Sequence, residues 1–301
     1  MIARALHCLA PAKLNLFLHI TGRRPDGHHD LQTLFQLLDF GDEMTFAPND
    51  SGLLSLSAHG PTANTMPLDG NLILRAAELL RATSPGKTLG ADILIDKRLP
   101  AGAGLGGGSS DAAATLVSLN QLWELGLTRE QLGAIGVTLG ADVPVFVRGH
   151  SAWAEGVGEK LTDIMLGPRI YLVATPNCAV STAEIFGMPD LTRNTQAIKM
   201  PDFLAGRSCN DCEAVTRRLY PLVASTIDWL AQYASARMTG TGASVFAELL
   251  LVQAMRPDRL ASAMSAFVCG ELGVESIAPA PLSMHRVCEE ASASSPVLFI
   301  V

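Results

Sequence analysis

The sequence predicts an α+β protein with two domains. Its 301 residues are 48% hydrophobic and 17% charged, which is enough apolar material for two globular cores of ordinary size. Strand-like and helix-like stretches alternate without a regular βαβ repeat, so α+β is favoured over a doubly wound sheet. Turn-forming residues at 156–168 mark a passage between domains. We expect domains at 1–160 and 161–288, and a tail at 289–301 that is either disordered or an added edge strand.

The elements of the N-terminal half follow from apolar periodicity and from the turn residues that separate the runs. Helices are predicted to begin at the cap residue Asn71, at residue 109 or 110, and at Thr128, which opens a Thr-x-x-Gln capping box. The predicted strands are 14–20, 44–46, 53–57, 91–95 and a pair formed by 143–147 and 151–156.

The C-terminal half opens with a strand at 169–175. Helices follow near 182–187, 211–219 and 222–233, and a second glycine-rich stretch, RMTGTGAS at 237–244, precedes an apolar strand. Glycine clusters of this kind indicate turns. This half is therefore also expected to mix helices and strands.

Charge and cysteine content limit the classes of function. The net charge of −7 argues against a general nucleic-acid or membrane-surface binder, and leaves room for an anionic small molecule. The six cysteines are scattered, and the Cys209-x-x-Cys212 pair has neither a second Cys/His pair nor a preceding strand, since 201–208 resembles a loop. The most apolar run, 245–255, is too short to cross a membrane. We expect a reduced, cytoplasmic protein.

The stretch PAGAGLGGGSSD at 100–111 holds five glycines within residues 102–108 and leads into an apolar helical pattern. Backbone N–H groups of such a loop, followed by a helix N-terminus, form a site for anions. Ser109 and Ser110 add hydroxyl groups. A tight turn with glycines for packing is the alternative, but the density of glycine favours a phosphate site.

Two common phosphate motifs fit this loop poorly. The P-loop needs Gly-x-x-x-x-Gly-Lys-Ser/Thr, and the single Gly-Lys-Thr, at 86–88, has Arg81 where the first glycine should stand. Gly102-x-Gly104-x-x-Gly107 matches the dinucleotide fingerprint, but residues 119–125 end a helix where an acidic residue after a strand is required. The P-loop is therefore excluded, and the match to the dinucleotide fingerprint is weak.

A third set of motifs resembles the GHMP superfamily of small-molecule kinases, named for galactose, homoserine, mevalonate and phosphomevalonate. Its phosphate loop is Pro-x-x-x-Gly-Leu-x-Ser-Ser-Ala, and this chain carries the longer form GLGGGSSDAA. The matching segments, in order from about residue 10 to about residue 286, include PAKLNLFLHI (11–20), PDGHH (25–29), LGADVPVF (139–146) and RMTGTGASVFAE (237–248). The resemblance implies a two-domain GHMP-kinase fold with the active site in the cleft between the domains. It also implies ATP with Mg²⁺ as cofactors.

The most similar branch of the family phosphorylates the 2-hydroxyl of a cytidine-diphosphate-linked methylerythritol with ATP, in non-mevalonate isoprenoid biosynthesis. By that resemblance Asp142 is the catalytic base and Lys13 the active-site lysine that keeps Asp142 ionised and orients the hydroxyl. Without this context, an Asp between glycine and proline would be assigned as a cap, and Lys13 as a solvated lysine. Asn15, two residues along the strand, shares a face with Lys13 and is expected to contact substrate.

The remaining site residues also come from the resemblance. His29 is expected to bond the cytosine, which Phe186 and His28 sandwich, although the family usually has tyrosine or phenylalanine at position 28. Phe35, Thr182 and Gly240 match substrate-side positions, with core packing an equal alternative for Phe35. Asp111, in the first turn of the predicted helix, is expected either to point outward as a partner of the helix dipole or to help hold Mg²⁺. The expected ATP-binding residues are Asn71, Lys97, Pro100, Gly102, Gly104, Leu105, Gly106, Gly107, Gly108, Ser109 and Ser110.

Three other functions stay open at this point. One is a GHMP kinase acting on another alcohol, and one is a nicotinamide-dependent oxidoreductase that uses the glycine loop. The third is a nucleotide-binding relative without catalysis, which the presence of both Lys13 and Asp142 argues against. We expect a small-molecule substrate, no nucleic-acid or membrane partner, and a monomer or weak homodimer.

Overall fold

The computed structural model describes residues 5–67 and 69–249 and the backbone of 297–300. These residues divide into two compact units. The first contains the described residues up to Ala101 together with Leu105–Met165 and Arg193–Lys199. The second contains Gly102–Gly104, Leu166–Thr192 and the described residues from Met200 onward. Both units mix helices and strands, so the predicted α+β class is confirmed.

The first unit is built on a six-stranded sheet. Its strands are β1 (Leu6–Arg23), β2 (His29–Asn49), β3 (Leu54–His59), β4 (Gly90–Asp96), β5 (Ala152–Gly156) and β6 (Lys160–Asp163). The order is β3-β4-β2-β5-β6, and β1 pairs with β2. The β1–β2 register shifts between Pro11 and Lys13 and again between Asn15 and Leu18. Such bulges re-aim side chains, and Lys13 and Asn15 lie between the two shifts.

Four helices accompany this sheet: α1 (Leu72–Ala82), α2 (Gly107–Leu122), α3 (Arg129–Val137) and α4 (Val143–Arg148). The predicted caps are confirmed, since the Asn71 side chain accepts a hydrogen bond from the N–H of Ile73 and Thr128 forms a capping box with Gln131. The core shared by sheet and helices includes Phe46, Ile73, Leu80, Ile93, Leu116 and Leu119.

The expectation that 143–147 forms a strand is wrong. These residues form α4, which starts after Asp142 with Pro144 in its first turn. All five side chains from Val143 to Val147 are buried. A short run that is apolar on every side carries no period, so sequence alone does not distinguish a buried strand from a buried helix. Proline, which is tolerated in the first turn of a helix, is the feature that favoured the helix.

The second unit has a four-stranded antiparallel sheet in the order β10-β7-β9-β8. Its elements are β7 (Ile170–Thr175), α5 (Thr182–Gly187), α6 (Met200–Leu204), α7 (Glu213–Leu219), α8 (Pro221–Leu230), β8 (Ala236–Met238), β9 (Val245–Leu249) and β10 (Val297–Ile300). Helix α6 occupies part of the stretch that was expected to be a loop. In the predicted tail, β10 forms an edge strand, while residues 289–296 and 301 lie outside the described residues.

Within the described residues, no helix combines the length and the apolar character that crossing a membrane requires. Four cysteines there are free thiols: Cys8, Cys178, Cys209 and Cys212. Cys212 is buried and directly precedes α7, whereas Cys209 is exposed. Cys269 and Cys288 lie outside the described residues.

Candidate active site

The glycine loop is shaped by alternating backbone conformations. Gly102, Gly104 and Gly106 have φ values of +68°, +75° and +74°, in the left-handed region that favours glycine. The residues between them, Ala103 and Leu105, are buried, with 3% and 1% of their surfaces exposed. Gly106 is the N-cap of α2, so the loop runs directly into a helix N-terminus. This geometry is typical of backbone sites for phosphate groups.

Close contacts give a second reason for these glycines. A β-carbon at Gly104 would lie 2.6 Å from the carbonyl oxygen of Thr239 and 2.7 Å from that of Gly242. A β-carbon at Gly106 would lie 2.9 Å from the ring of Phe146 and 3.1 Å from the side chain of Lys13. Close packing therefore explains Gly104 and Gly106 by itself, and it is compatible with the phosphate site predicted for the loop.

Lys13 and Asp142 lie together beside the end of the loop. The Lys13 N–H donates to the carbonyl of Leu105 at 2.9 Å. Its ammonium group is 3.5 Å from Oδ2 of Asp142, and the lysine is 4% exposed. Asp142 stands at the N-cap position of α4, yet its side chain makes no capping hydrogen bond. The carboxylate is thus directed to Lys13 and not used as a cap.

Asn15 orients the lysine. Its Oδ1 accepts a hydrogen bond from the Lys13 ammonium at 2.5 Å, and its Nδ2 donates to the hydroxyl of Thr33 at 2.9 Å. The shared face predicted for Lys13 and Asn15 is therefore confirmed. Phe35 lies with its ring centroid 5.6 Å from the Lys13 ammonium and is 2% exposed. That burial favours the packing role of Phe35 over substrate contact.

Lys97 belongs to a buried ion cluster. Its ammonium donates to Oδ2 of Asp42 at 2.5 Å and to Oδ2 of Asp111 at 2.7 Å. All three residues are at most 3% exposed. Asp111 does not point outward, because it lies on the buried face of α2; since α2 begins at Gly107, earlier than predicted, Asp111 also stands beyond the first turn. Of the two alternatives for Asp111, the outward orientation is therefore wrong, and a contact with Mg²⁺ stays a prediction.

Burial controls the ionisation of this cluster. Removal from water raises the pKa of Asp111 to about 7, an effect that Lys97 opposes and Asp42 reinforces. The pKa of Lys97 is raised as well, because the attraction of Asp111 and Asp42 outweighs the cost of its burial. The ammonium is therefore charged at neutral pH.

The other residues predicted for ATP differ in exposure. Asn71 is 6% exposed, and its amide caps α1 and donates to the carbonyl of Pro67. Gly102 and Gly108 are exposed, Pro100 and Ser109 are half-buried, and Ser110 is buried. Within the described part of the chain the Ser110 hydroxyl has no hydrogen-bond partner.

The residues predicted to read the cytosine begin with His28 and His29. His28 is exposed, and its Nδ1 lies 3.3 Å from a carboxylate oxygen of Asp26. The Nε–H of Arg193 donates to Nε2 of His29 at 3.0 Å. Partial burial and the charge of Arg193 lower the pKa of His29. His29 is therefore neutral at pH 7, with its proton on Nδ1.

In the second unit, Thr182 is exposed at the start of α5, and its hydroxyl lies 3.0 Å from that of Thr241. Phe186 is half-buried in the same helix. Gly240 has φ +60°. Its carbonyl and that of Met238 each accept a hydrogen bond from the Asn210 amide at 2.8 Å.

Sequence reasoning missed Asp42, Arg193 and Asn210. A carboxylate inside an apolar strand, as at Asp42, is the one signal that was available. Arg193 lies in the segment Arg193–Lys199, which the structure assigns to the first unit. No local sequence pattern indicates that this segment belongs to the first unit. Asn210 lies inside the Cys-x-x-Cys stretch, which was interpreted through its two cysteines.

Comparison with known proteins identifies the broad class of enzyme to which this chain belongs. The GHMP kinases N terminal domain matches residues 71–150, and the GHMP kinases C terminal domain matches residues 195–268. The mevalonate kinase of Methanococcus jannaschii shares the fold, with a TM-score of 0.58 at 14% identity over 86% of this chain and 95% of that one. These matches define a GHMP kinase and confirm the predicted two-domain fold.

Proteins with higher sequence identity show which family of GHMP kinases this chain belongs to. A solved 4-(cytidine 5'-diphospho)-2C-methyl-D-erythritol kinase superposes with a TM-score of 0.71 and 33% identity over 87% of this chain and 96% of that one. The 4-diphosphocytidyl-2-C-methyl-D-erythritol kinase of Pseudomonas paraeruginosa is 54% identical over 257 residues, 83% of this chain and 90% of its own. That of Halorhodospira halophila is 52% identical over 240 residues, 79% and 82% respectively. The chain belongs to the 4-diphosphocytidyl-2-C-methyl-D-erythritol kinase family.

Proposed function

We propose that this kinase transfers the γ-phosphoryl group of ATP to the 2-hydroxyl of 4-diphosphocytidyl-2-C-methyl-D-erythritol, releasing ADP and the 2-phosphate in isoprenoid precursor synthesis. The observation that carries the proposal is the Lys13–Asp142 pair, bonded through the Lys13 backbone to Leu105 of the glycine loop. The proposed base therefore lies beside the end of the proposed phosphate loop. Family membership supports the acceptor and argues against an oxidoreductase.

In the proposed reaction Asp142 accepts the proton of the 2-hydroxyl through a carboxylate oxygen. The hydroxyl oxygen forms a bond to the γ-phosphorus while the bond from that phosphorus to the β–γ bridging oxygen breaks, and ADP leaves with that oxygen. Lys13 faces the carboxylate and attracts the negative charge that develops on the oxygens. Asn15 fixes the direction of the Lys13 ammonium.

Backbone N–H groups of the loop and of the first turn of α2 are proposed to hold the phosphates of ATP. The half-buried Ser109 and the buried, unpaired hydroxyl of Ser110 fit a Mg²⁺ ion that arrives with the nucleotide, since Mg²⁺ takes oxygen ligands chiefly from phosphates and water. The described residues hold no cluster of three or more His, Cys, Asp or Glu able to bind a metal by themselves. When bound, Mg²⁺ would neutralise phosphate charge.

His29 is proposed to hydrogen-bond the cytosine, with Arg193 fixing its tautomer, and His28 and Phe186 to stack on the base. Imidazole offers less stacking area than the tyrosine or phenylalanine usual at position 28. Asn15, Thr182 and Gly240 are proposed to contact the rest of the substrate, and Asn71 and Pro100 the nucleotide.

The test is ADP release with ATP, Mg²⁺ and the cytidine compound, run beside galactose, homoserine and mevalonate. Turnover with the cytidine compound alone supports the proposal. Turnover with one of the other alcohols would show that this alcohol is the acceptor. A protein that binds ATP but phosphorylates none of the four compounds would refute the assignment of the cytidine compound as acceptor. A cytoplasmic location, a monomer or weak homodimer, and the boundary at residue 160 stay predictions.

A further inference from the structure

Both stems of the glycine loop end on one buried cluster of charges. The stem before the loop is residues 97–99, directly after β4, and the stem after it is the start of α2. Asp42, from the middle of β2, bonds the first stem, and Lys97 joins that stem to the second. Hydrogen bonds and ion pairs therefore connect β2, the 97–99 stem and α2 at the base of the loop.

The first stem is fixed by both oxygens of Asp42. Oδ1 accepts hydrogen bonds from the N–H groups of Arg98 and Leu99 at 2.6 and 2.8 Å, while Oδ2 accepts from the Lys97 ammonium at 2.5 Å. The Thr62 hydroxyl donates to the carbonyls of Lys97 and Leu99. Hydrogen bonds to charged groups in a buried setting are the strong ones, so this stem has little freedom.

The second stem is fixed by Asp111, whose Oδ2 accepts from the Lys97 ammonium at 2.7 Å. The same ammonium lies directly beneath the first residue of α2, 3.3 Å from the position of a β-carbon at Gly107. Lys97 is only 3% exposed, and two carboxylates share its ammonium. The side chain therefore contacts the backbone of the loop stems from the buried side. It is poorly placed to be a ligand of the nucleotide.

We propose that the Asp42–Lys97–Asp111 cluster is a clamp for the glycine loop, in which Lys97 and Asp111 are positioning residues for ATP rather than ATP ligands. The inference rests on the proposed use of residues 100–110 as the ATP loop. It replaces the direct nucleotide contact expected of Lys97 with a role through the backbone.

The clamp also makes ATP affinity depend on whether Asp111 is protonated. With all three groups ionised, the cluster carries one net negative charge under a site for polyanionic phosphates. Protonation of Asp111 removes that charge, and burial places its pKa at about 7. The groups that face Asp111 are Lys97 from the β4 stem, Asp42 from β2 and the Cys8 thiol from β1, whose pKa is raised chiefly by its own burial. Lys97 and Cys8 both have a raised pKa, so neither of them loses its proton near neutrality.

The experiment measures the dissociation constant of ATP by calorimetry, without acceptor, from pH 6 to pH 8.5. Asp111→Ala and Lys97→Met are each expected to weaken ATP binding at least about tenfold, a loss of about 1.4 kcal/mol. Asp111→Asn, which can still accept a bond from Lys97, is expected to stay within about threefold of wild type at pH 6. Lys87→Met, at an exposed lysine, is the matched control and should bind like wild type.

The pH series separates a clamp from a merely structural role. As pH rises through about 7, ATP affinity of the wild type should fall relative to that of Asp111→Asn, because only the wild type gains a charge there. Folded Asp111→Ala and Lys97→Met proteins that bind ATP within twofold of wild type would overturn the clamp. If both fail to fold, a constant ratio between wild type and Asp111→Asn across the pH range would overturn it instead. Weakened ATP binding in an enzyme that does not use the cytidine compound would refute the acceptor assignment alone.

Discussion

The ammonium group of Lys13 is shared between Asn15, at 2.5 Å, and Asp142, at 3.5 Å. The shorter contact fixes the lysine on its strand, and the longer one leaves a carboxylate, one third exposed, directed toward it. A carboxylate with this partner and some access to solvent suits proton transfer.

Replacing Asp142 with asparagine removes the proposed base while preserving its shape. Turnover should fall by roughly two to four orders of magnitude, whereas ATP affinity and folding should stay close to wild type. Single-turnover kinetics and calorimetry measure the two effects separately. Asp163→Asn, at an exposed carboxylate paired with Arg148, is the control. Near-normal turnover of Asp142→Asn would exclude Asp142 as the base.

Alanine at two glycines of the loop region should have opposite effects. At Gly104 the φ of +75° and the carbonyls 2.6 and 2.7 Å from a β-carbon predict a destabilisation of about 2 kcal/mol or more. At Gly108, inside α2, the nearest atom is an ordinary 3.5 Å away, and alanine should stabilise the helix by up to about 1 kcal/mol. Urea unfolding of both variants is the measurement. Equal stabilities would contradict the described loop geometry.

Asn210 should support the second glycine-rich turn. Its amide donates to the carbonyls of Met238 and Gly240, and its Oδ1 accepts from the N–H of Cys212. Asn210→Ala leaves three backbone groups without these partners and should cost about 1–3 kcal/mol of unfolding free energy. Asn194→Ala, at an exposed asparagine, is the matched control. A change of a few tenths of a kcal/mol in both variants would remove this role.

His28 stands where the family resemblance leads us to expect tyrosine or phenylalanine. His28→Tyr adds stacking area at an exposed side chain, so the Michaelis constant for the cytidine compound should fall while that for ATP stays unchanged. Steady-state kinetics with each substrate varied in turn measure the difference. His150→Tyr, at another exposed histidine, serves as the comparison. Identical Michaelis constants before and after the His28 change would show that position 28 does not touch the base.

The stability of the fold should depend on pH through Asp111. Its pKa is raised from an ordinary 3.8 to about 7, so the folded protein binds this proton more tightly than the unfolded chain. Folding therefore loses stability from this group as pH rises from about 4 to about 7. Asp111→Asn should gain stability relative to wild type across that window and level off above it. A difference that does not vary with pH in urea titrations would contradict the raised pKa.

The parts of the site that sequence predicted well are local. The caps at Asn71 and Thr128 and the shared face of Lys13 and Asn15 depend on residues a few positions apart. The glycine loop was also recognisable, because left-handed dihedrals leave a dense glycine signature.

The parts that sequence missed depend on distance or on burial. The Asp42–Lys97–Asp111 cluster joins three elements, and nothing near each residue indicates the other two. Asp111 lies on the buried face of α2 because Lys97 and Asp42, which are distant in sequence, surround it there. Helix α4 was mistaken for a strand because full burial removes the polar face that would have revealed the helical period.

The alternation of left-handed glycines with the buried Ala103 and Leu105 has a thermodynamic consequence for the nucleotide. Fixing a residue's backbone costs about 1–2 kcal/mol of conformational entropy, and this stretch of chain loses that freedom when the protein folds. In the proposed site, an arriving ATP molecule would therefore meet amide groups whose directions are already set. Its affinity would reflect contacts with the phosphates, with little free energy lost in ordering the loop.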